Sequence, residues 1–282
     1  MRTEHEMMDL ILNVASRDER VRVVAMNGSR TNPNVQPDAF QDYDIVYIVT
    51  EMKSFLQEPL WIDVFGERII LQTPESMSLF PPELGNWFSY LMLFEDGNRI
   101  DLLLVPLEEL DQYIRKDKLI RILLDKDKRV PPLPPPADMD YWVKQPEPVI
   151  FDECCNEFWW LAPYVAKGLC RDELPYAIDH LNMMRSLLYM MLSWEAGADT
   201  GYSVSMGKNY KYLKNYLPQA TWDTVMKTYG NATGSDVRDS LWLCCGLFRT
   251  SAGRVAALLR VPYPEYDSKV TPYLTHLLTI PK

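Results

Sequence analysis

Residues 21–49 read VRVVAMNGSRTNPNVQPDAFQDYDIVYIV, and this stretch decides the fold of the first half of the chain. Residues 21–26 are an apolar run rich in β-branched side chains, which predicts a strand. The run breaks at Asn27-Gly28-Ser29-Arg30, and a polar loop follows to Gln41. A second strand, rich in β-branched and aromatic residues, is then predicted over residues 43–49. The order strand, glycine turn, loop, strand opened by Asp42-Tyr43-Asp44 gives a mixed α/β beginning.

Outward from this stretch, residues 3–16 place Met7, Leu10, Ile11 and Val14 on one helical face. Downstream, the pattern predicts a helix over 52–64 and a strand over 68–73. The runs WFSYLMLFED and RIDLLLVP, joined by Asp96-Gly97-Asn98, predict a hairpin, because Asp-Gly between two apolar runs supplies the backbone a tight turn needs. Residues 107–117 read as helical, and LIRILLDKD is compatible with a strand or a helix. The VPPLPPP segment at 130–136 fits neither a helix interior nor a central strand, since proline has no amide donor. The domain boundary is placed there, giving a first domain of residues 1–135 and a second of 136–282. Beyond it, residues 152–168, 173–195, 208–216, 220–229 and 236–259 all carry apolar side chains at three- and four-residue spacing, the pattern of a helical bundle. The fold class expected is therefore α+β, a sheet-containing domain followed by an all-α domain.

Composition bounds the functions. At 282 residues the chain is long enough to divide into two cores. With 47% hydrophobic and 24% charged residues it is too apolar to be disordered. A formal net charge of −10 argues against nucleic acid as a partner and suits a cationic one. The first residues carry acidic groups and no small-residue cleavage site, and no apolar stretch approaches the roughly 20 residues of a membrane span. A soluble, cytoplasmic protein is expected. The five cysteines, two adjacent pairs and Cys170, show no metal-ligand spacing and are expected to be buried reduced thiols.

The chemistry is carried by few residues. Successive strand side chains alternate faces, so Asp42 and Asp44 share one face while Tyr43, Ile45 and Tyr47 share the other. If the strand of Asp101 runs alongside, three carboxylates converge, an arrangement that is costly without a cation to neutralise it. Magnesium prefers such oxygens, and a pair of these ions can clamp both the attacking and the leaving oxygen of a phosphoryl-type transfer. Gly28 lets backbone approach a triphosphate closely, the Ser29 hydroxyl and nearby amides can donate to its oxygens, and Arg30 can add a guanidinium.

The glycine-serine turn, the Asp-x-Asp strand and a third strand aspartate resemble the DNA polymerase β nucleotidyltransferase superfamily. More narrowly, NGSRTNPNVQPDAFQDYDIVYIV, PPELGNWFSYLMLFEDGNRIDLLLVP, CCNEFWW, AIDHLN and SMGKNYKYL resemble the aminoglycoside 6-adenylyltransferases, with a likeness that runs through both domains. The resemblance implies a small mixed sheet with flanking helices joined to a helical domain, with ATP and the antibiotic bound between them. It implies that Asp42 and Asp44 hold magnesium and that Asp101 is a further ligand or the general base. It also implies that AMP passes from ATP to a hydroxyl of streptomycin, with Lys208 of SMGKNYKYL, near the start of a predicted helix, as the candidate phosphate-binding lysine.

For the cationic acceptor, acidic and aromatic groups of the second domain are the candidates. Glu153 and Glu157 lie on one helix face at i,i+4, with Trp160 further along that surface and Asp179-His180 in the next helix. Desolvated amino and guanidino groups pair with carboxylates and stack on indole. Other acceptors, a lincosamide, a different aminoglycoside or a protein hydroxyl, would use the same metal motif. A non-catalytic ATP-binding protein on the same fold is a further alternative, against which the intact Asp42, Asp44 and Asp101 count.

Overall fold

The hydroxyl of Thr3 accepts the Glu6 amide while the Glu6 carboxylate accepts the Thr3 amide. This reciprocal cap starts helix α1 (Glu4–Arg17), whose Met7, Ile11 and Ala15 face inward. In the computed structural model, which describes residues 1–280, the chain falls into a first unit, Met1–Asp140, and a second that begins at Tyr141. Past the proline segment, residues up to 140 stay with the first unit: the Ala137 amide donates to the Lys118 carbonyl, and Lys118 is paired with Asp140.

The first unit is built on a six-stranded sheet of β1 (Val21–Met26), β2 (Tyr43–Val49), β3 (Arg68–Gln72), β4 (Phe88–Phe94), β5 (Arg99–Pro106) and β6 (Arg121–Asp125), in the order β3-β4-β5-β2-β1-β6. The sheet is mixed. β2 and β5 run parallel, and the other neighbours are antiparallel. The hairpin forms as Asp96-Gly97 predicts, with Gly97 at a positive φ of 83°, and LIRILLDKD supplies β6.

Period-two alternation assigns the two faces. Tyr43, Ile45 and Tyr47 of β2, Ile100, Leu102 and Leu104 of β5, and Tyr90 and Met92 of β4 pack with Met7 and Ile11 of α1 in one core. Val46 and Ile48 turn the other way, joining Val23, Ala25 and Val105 with Trp87 and with Leu110 and Tyr113 of α3 (Leu110–Lys116). At the start of β2 and β5 this second face opens, and Asp44, Arg99 and Asp101 are only partly buried there.

The helix expected over 52–64 is not continuous. It is a short α2 (Met52–Gln57) followed by a 3-10 segment, Pro59–Phe65. Pro59 lacks the amide that would continue the helix and disfavours α-conformation in the residue before it.

The second unit is helical: α4 (Pro148–Cys170), α5 (Leu174–Asp199), α6 (Gln219–Lys227), α7 (Gly234–Leu259) and α8 (Tyr266–Thr279). Phe158 of α4 stacks on Phe248 of α7 with ring centroids 3.7 Å apart, and the neighbouring Trp159 donates its indole N–H to Tyr263 at 2.9 Å. Cys154, Cys155, Cys244 and Cys245 are buried in this core, and Cys170 is partly buried; all five are free thiols. Burial pushes the Cys154 thiol up to about 12 and the Cys244 thiol up to about 11, which keeps both protonated and inert.

Residues 208–216 depart from expectation. They form two 3-10 turns, Lys208–Tyr210 and Leu213–Tyr216, in place of an α-helix. Gly207, Asn209 and Tyr210 all take positive φ, which an α-helix excludes. The three-residue spacing of Tyr210, Leu213 and Tyr216 aligns side chains on a 3-10 turn as it nearly does on an α-helix, so periodicity alone does not separate the two. Helix α8 lies beyond the last helix that the pattern predicts. No helix among the described residues is long and apolar enough to cross a membrane.

Candidate active site

Strand β1 ends where Asn27 is fixed three ways. Its amide donates to the Asp44 carbonyl at 2.9 Å, its side-chain amide donates to Leu119, and its side-chain oxygen accepts the Tyr113 hydroxyl. Gly28 follows at φ 71°, a conformation that disfavours any side chain. The absent side chain has a second function. A β-carbon at Gly28 would lie 1.9 Å from Asp44 Oδ2, so the carboxylate occupies the space that glycine leaves. The loop expected to cradle phosphate and the carboxylate expected to hold metal are thus in direct apposition.

The parallel register of β2 and β5 sets Asp44 beside Asp101, since the two are paired residues. Asp42 stands just before β2 on the same side. Arg99, two residues before Asp101 and therefore on its face, binds the set together: its guanidinium pairs with Asp101 at 2.7 Å through two hydrogen bonds and approaches Asp42 at 3.7 Å. Its hydrogen bonds to the Asp101 carboxylate raise Arg99 above its ordinary value. Sequence reasoning passed over Arg99, although period-two alternation in RIDLLLVP places it beside Asp101.

The electrostatics are those of crowded carboxylates. Asp44 is raised to about 6, first by burial and then by the charges of Asp101 and Asp42, against the opposing effect of Arg99 and Arg30. Asp42 is raised as well, again by burial first, with Arg99 pulling it down and Asp101 pushing it up. Like charges held in a partly dry site with too little countercharge behave this way.

Arg30 is committed to the backbone leading into β2. Its guanidinium donates to the carbonyls of Asp42 at 3.1 Å and Gln41 at 2.9 Å, stacks on the Tyr43 ring at 3.8 Å and meets Glu4 at 3.3 Å. In this structure it fixes where Asp42 sits. Ser29 lies in the turn, its carbonyl accepting the Asn32 amide at 3.3 Å.

The donor set has the chemistry of a hard, oxygen-preferring divalent cation: carboxylates alone, with no thiolate or imidazole. Among the described residues, no group of three or more His, Cys, Asp or Glu side chains has the arrangement to hold a metal ion as it stands. Here Arg99 supplies the positive charge for Asp101 and Asp42, while the raised Asp44 remains short of one.

The remaining candidates lie in the second unit. Glu153, Glu157 and Trp160 are exposed along one face of α4, with Trp160 62% accessible. Trp160 meets Tyr164 edge-on, Tyr164 meets His180 at 5.1 Å, and His180 meets Tyr176 at 4.2 Å, so an aromatic row crosses from α4 to α5. Tyr164 and Tyr176 are members that sequence reasoning missed; their spacing from Trp160 and His180, four residues in each case, was the available signal. His180 is satisfied within its own helix, its Nδ1–H donating to the Tyr176 carbonyl at 2.8 Å. Asp179 is exposed on α5. Lys208 is exposed at the first 3-10 turn after Gly207. The structure therefore gathers Gly28, Asp42, Asp44 and Asp101 into one site in the first unit, and Trp160 and His180 into one row in the second.

Comparison with known proteins agrees with this architecture. The family model described as streptomycin adenylyltransferase matches residues 1–277. An aminoglycoside 6-adenylyltransferase of Bacillus subtilis (strain 168) is 49% identical over 97% of both chains. One of Campylobacter jejuni is 48% identical over 97% of this chain and 95% of its own, and one of Staphylococcus aureus is 39% identical over 97% and 98%. The crystal structure of an aminoglycoside 6-adenyltransferase from Bacillus subtilis aligns over 99% of this chain and 100% of its own, with 44% identity and a TM-score of 0.50. With the carboxylate site in place and the match running through both units, the chain belongs to the streptomycin adenylyltransferase family of nucleotidyltransferases.

Proposed function

We propose that this chain, acting in the cytoplasm, transfers AMP from ATP to a hydroxyl of streptomycin, at position 6, and so inactivates the antibiotic. The observation that carries the reading is the apposition of the Gly28 turn to Asp44, with Asp101 paired beside it. A phosphate-accommodating turn and a pair of carboxylates sharing one open sheet face suit transfer of a nucleotidyl group to an alcohol.

In this reaction the acceptor oxygen forms a bond to the α-phosphorus of ATP, the bond from that phosphorus to the bridging oxygen breaks, and pyrophosphate leaves. The acceptor proton passes to a base, for which Asp101 is the proposed carboxylate. Asp42 and Asp44 would hold magnesium, with Asp101 as a further ligand or as the base, and two such ions would neutralise charge on the phosphates and on the attacking oxygen. The protein's contribution is positional. The Gly28-Ser29 turn supplies backbone and hydroxyl donors, Arg30 fixes the backbone ahead of Asp42, and Arg99 holds Asp101. Lys208 is proposed to contact phosphate. Glu153, Glu157, Trp160, Asp179 and His180 are proposed to receive the cationic groups of the antibiotic.

The test is pyrophosphate release and mass analysis of the product with ATP, magnesium and a panel of aminoglycosides and lincosamides. Streptomycin gaining one AMP is the expected result. Asp42→Asn or Asp44→Asn should lower turnover by orders of magnitude while the protein stays folded, because several kcal/mol of transition-state stabilisation is lost. No AMP transfer to any aminoglycoside, or near-normal rates in either variant, would refute the reading.

A further inference from the structure

A cavity of about 770 Å³ lies beside the carboxylates within the first unit, with Asp42 and Arg99 on one side and Ile70, Leu91 and Leu93 on the other. Its size is that of a small-molecule site, about 300–1,000 Å³. The strand registers show how it relates to the chemistry. Asp44 is paired with Asp101, Asp101 with Leu91, and Leu91 with Gln72, so one row of side chains runs from β2 across β5 and β4 to β3. Leu93 pairs with both Arg99 and Ile70 in the next row. The Gly28 turn follows β1, on the opposite side of β2. Carboxylates therefore sit in the middle, with the phosphate turn to one side and the cavity to the other.

In-line displacement at phosphorus requires the nucleophile and the leaving group on opposite sides. If the pyrophosphate departs over the Gly28 turn, the attacking hydroxyl comes from the side of β4 and β3. We infer that this cavity seats the ring of the acceptor that carries the attacking hydroxyl, a cyclic polyol bearing basic substituents. The inference rests on the nucleotidyl transfer proposed above.

The lining suits that occupant. Ile70 is 62% exposed on the edge strand β3, and Phe40, at the rim, is 91% exposed. Open apolar side chains on an edge strand are a liability that proteins normally cover, and a recurrent reason to retain them is a ligand. A cyclic polyol offers C–H faces to Ile70, Leu91 and Leu93, while its hydroxyls can meet the side-chain amides of Gln41 and Gln72. Basic substituents can stack on the Phe40 ring. A nucleoside would use the same apolar surface, and the experiment separates the two.

The decisive variant is Ile70→Trp, which fills the cavity from an exposed position. Equilibrium binding of streptomycin would be measured by calorimetry in the presence of magnesium and a non-cleavable ATP analogue, and binding of the analogue separately. Streptomycin affinity should fall about tenfold or more, with analogue affinity within about twofold of the parent. Phe40→Ala, at a side chain with little packing to lose, should weaken streptomycin severalfold and is the measurement that stands if the tryptophan variant does not fold. Weakened analogue binding with unchanged streptomycin binding would assign the cavity to the nucleoside and overturn the inference, as would no change in either. Failure of the function itself reads differently: the parent enzyme would then transfer no AMP to any aminoglycoside. Should it prefer another aminoglycoside, the same binding comparison applies with that compound.

Discussion

Gly28 and Asp44 are fitted so closely that a β-carbon on the glycine would stand 1.9 Å from the Asp44 carboxylate oxygen. Gly28→Ala adds that carbon at a position whose φ of 71° already disfavours it. The carboxylate, or the turn, must move by more than an ångström. Because a misplacement of that size costs about 100-fold in a positioned reaction, kcat/KM should fall by about that factor or more. Circular dichroism should show the fold retained, since Gly28 lies at a turn and not in either core. Near-normal kinetics would mean that Asp44 need not occupy the place it holds here.

The raised Asp44 carboxyl makes stability and chemistry oppose each other. Its folded value of about 6 lies above the ordinary 3.8, so the native state binds the proton more tightly than the unfolded chain. Below the ordinary value both states are protonated and the group is neutral toward folding. As pH rises through the window from 3.8 to about 6, the native state loses stability, and above it the full penalty persists. Asp44→Asn removes that penalty. In metal-free buffer near pH 7.5 the variant should be more stable than the parent by about 2–3 kcal/mol, and the gap should close toward pH 4. Added magnesium should also narrow the gap at pH 7.5 by stabilising the parent alone. Thermal melts of both proteins across pH, with and without magnesium, check each sign; an asparagine variant less stable at pH 7.5 would contradict the crowding of charge described here.

The strands of the first unit and the shared face of the carboxylates were legible because both rest on short-range patterns. Alternation in residues 43–49 and around Asp101 puts the carboxylates on one face, and Asp96-Gly97 fixes the hairpin between β4 and β5. Where several conformations share a period, the pattern failed. The spacing of Tyr210, Leu213 and Tyr216 suits a 3-10 turn as well as a helix, and although Asn209 is of a type that tolerates the left-handed region, left-handed Tyr210 carries no warning in its residue type. Long-range partners were also hidden. Arg30 points its guanidinium at the Gln41 and Asp42 carbonyls, a contact that depends on how the loop closes. The cavity of β3 and β4 depends on strand order, which a parallel β2–β5 pairing settles and local sequence does not.

Lys208 sits exposed on a turn whose backbone is set by Gly207: a β-carbon there would come within 2.6 Å of the Tyr212 ring. A lysine presented on such a fixed turn can serve a phosphate as a point charge. Lys208→Ala should therefore weaken ATP by about 1.5–3 kcal/mol, the range for a charge-assisted contact. Streptomycin affinity measured without nucleotide should be unchanged. Equal weakening of both ligands would assign Lys208 a structural role instead.

The exposed face of α4 and α5 gives the last prediction. Glu153 and Glu157 lead along α4 to Trp160, and the aromatic row of Trp160, Tyr164, His180 and Tyr176 continues to α5, where Asp179 is also exposed. Carboxylates beside open aromatic faces attract guanidinium and ammonium groups by pairing and by stacking, and each exposed contact is individually weak. Glu153→Gln, Glu157→Gln and Asp179→Asn should each raise the streptomycin KM by a few-fold, consistent with about 0.5–1 kcal/mol per exposed charge. The ATP KM should stay near the parent value, because these carboxylates make no favourable contact with phosphate for the substitution to remove. Trp160→Ala should act in the same direction through lost stacking. Rising salt should weaken streptomycin binding in the parent and do so less in the triple carboxamide variant, since screening acts on charges that the variant no longer has. Steady-state kinetics with each substrate varied in turn, at two ionic strengths, checks all of these. If the carboxamide variants leave the streptomycin KM and its salt dependence unchanged while AMP transfer persists, this face is a solvated surface and the antibiotic's cations are met elsewhere.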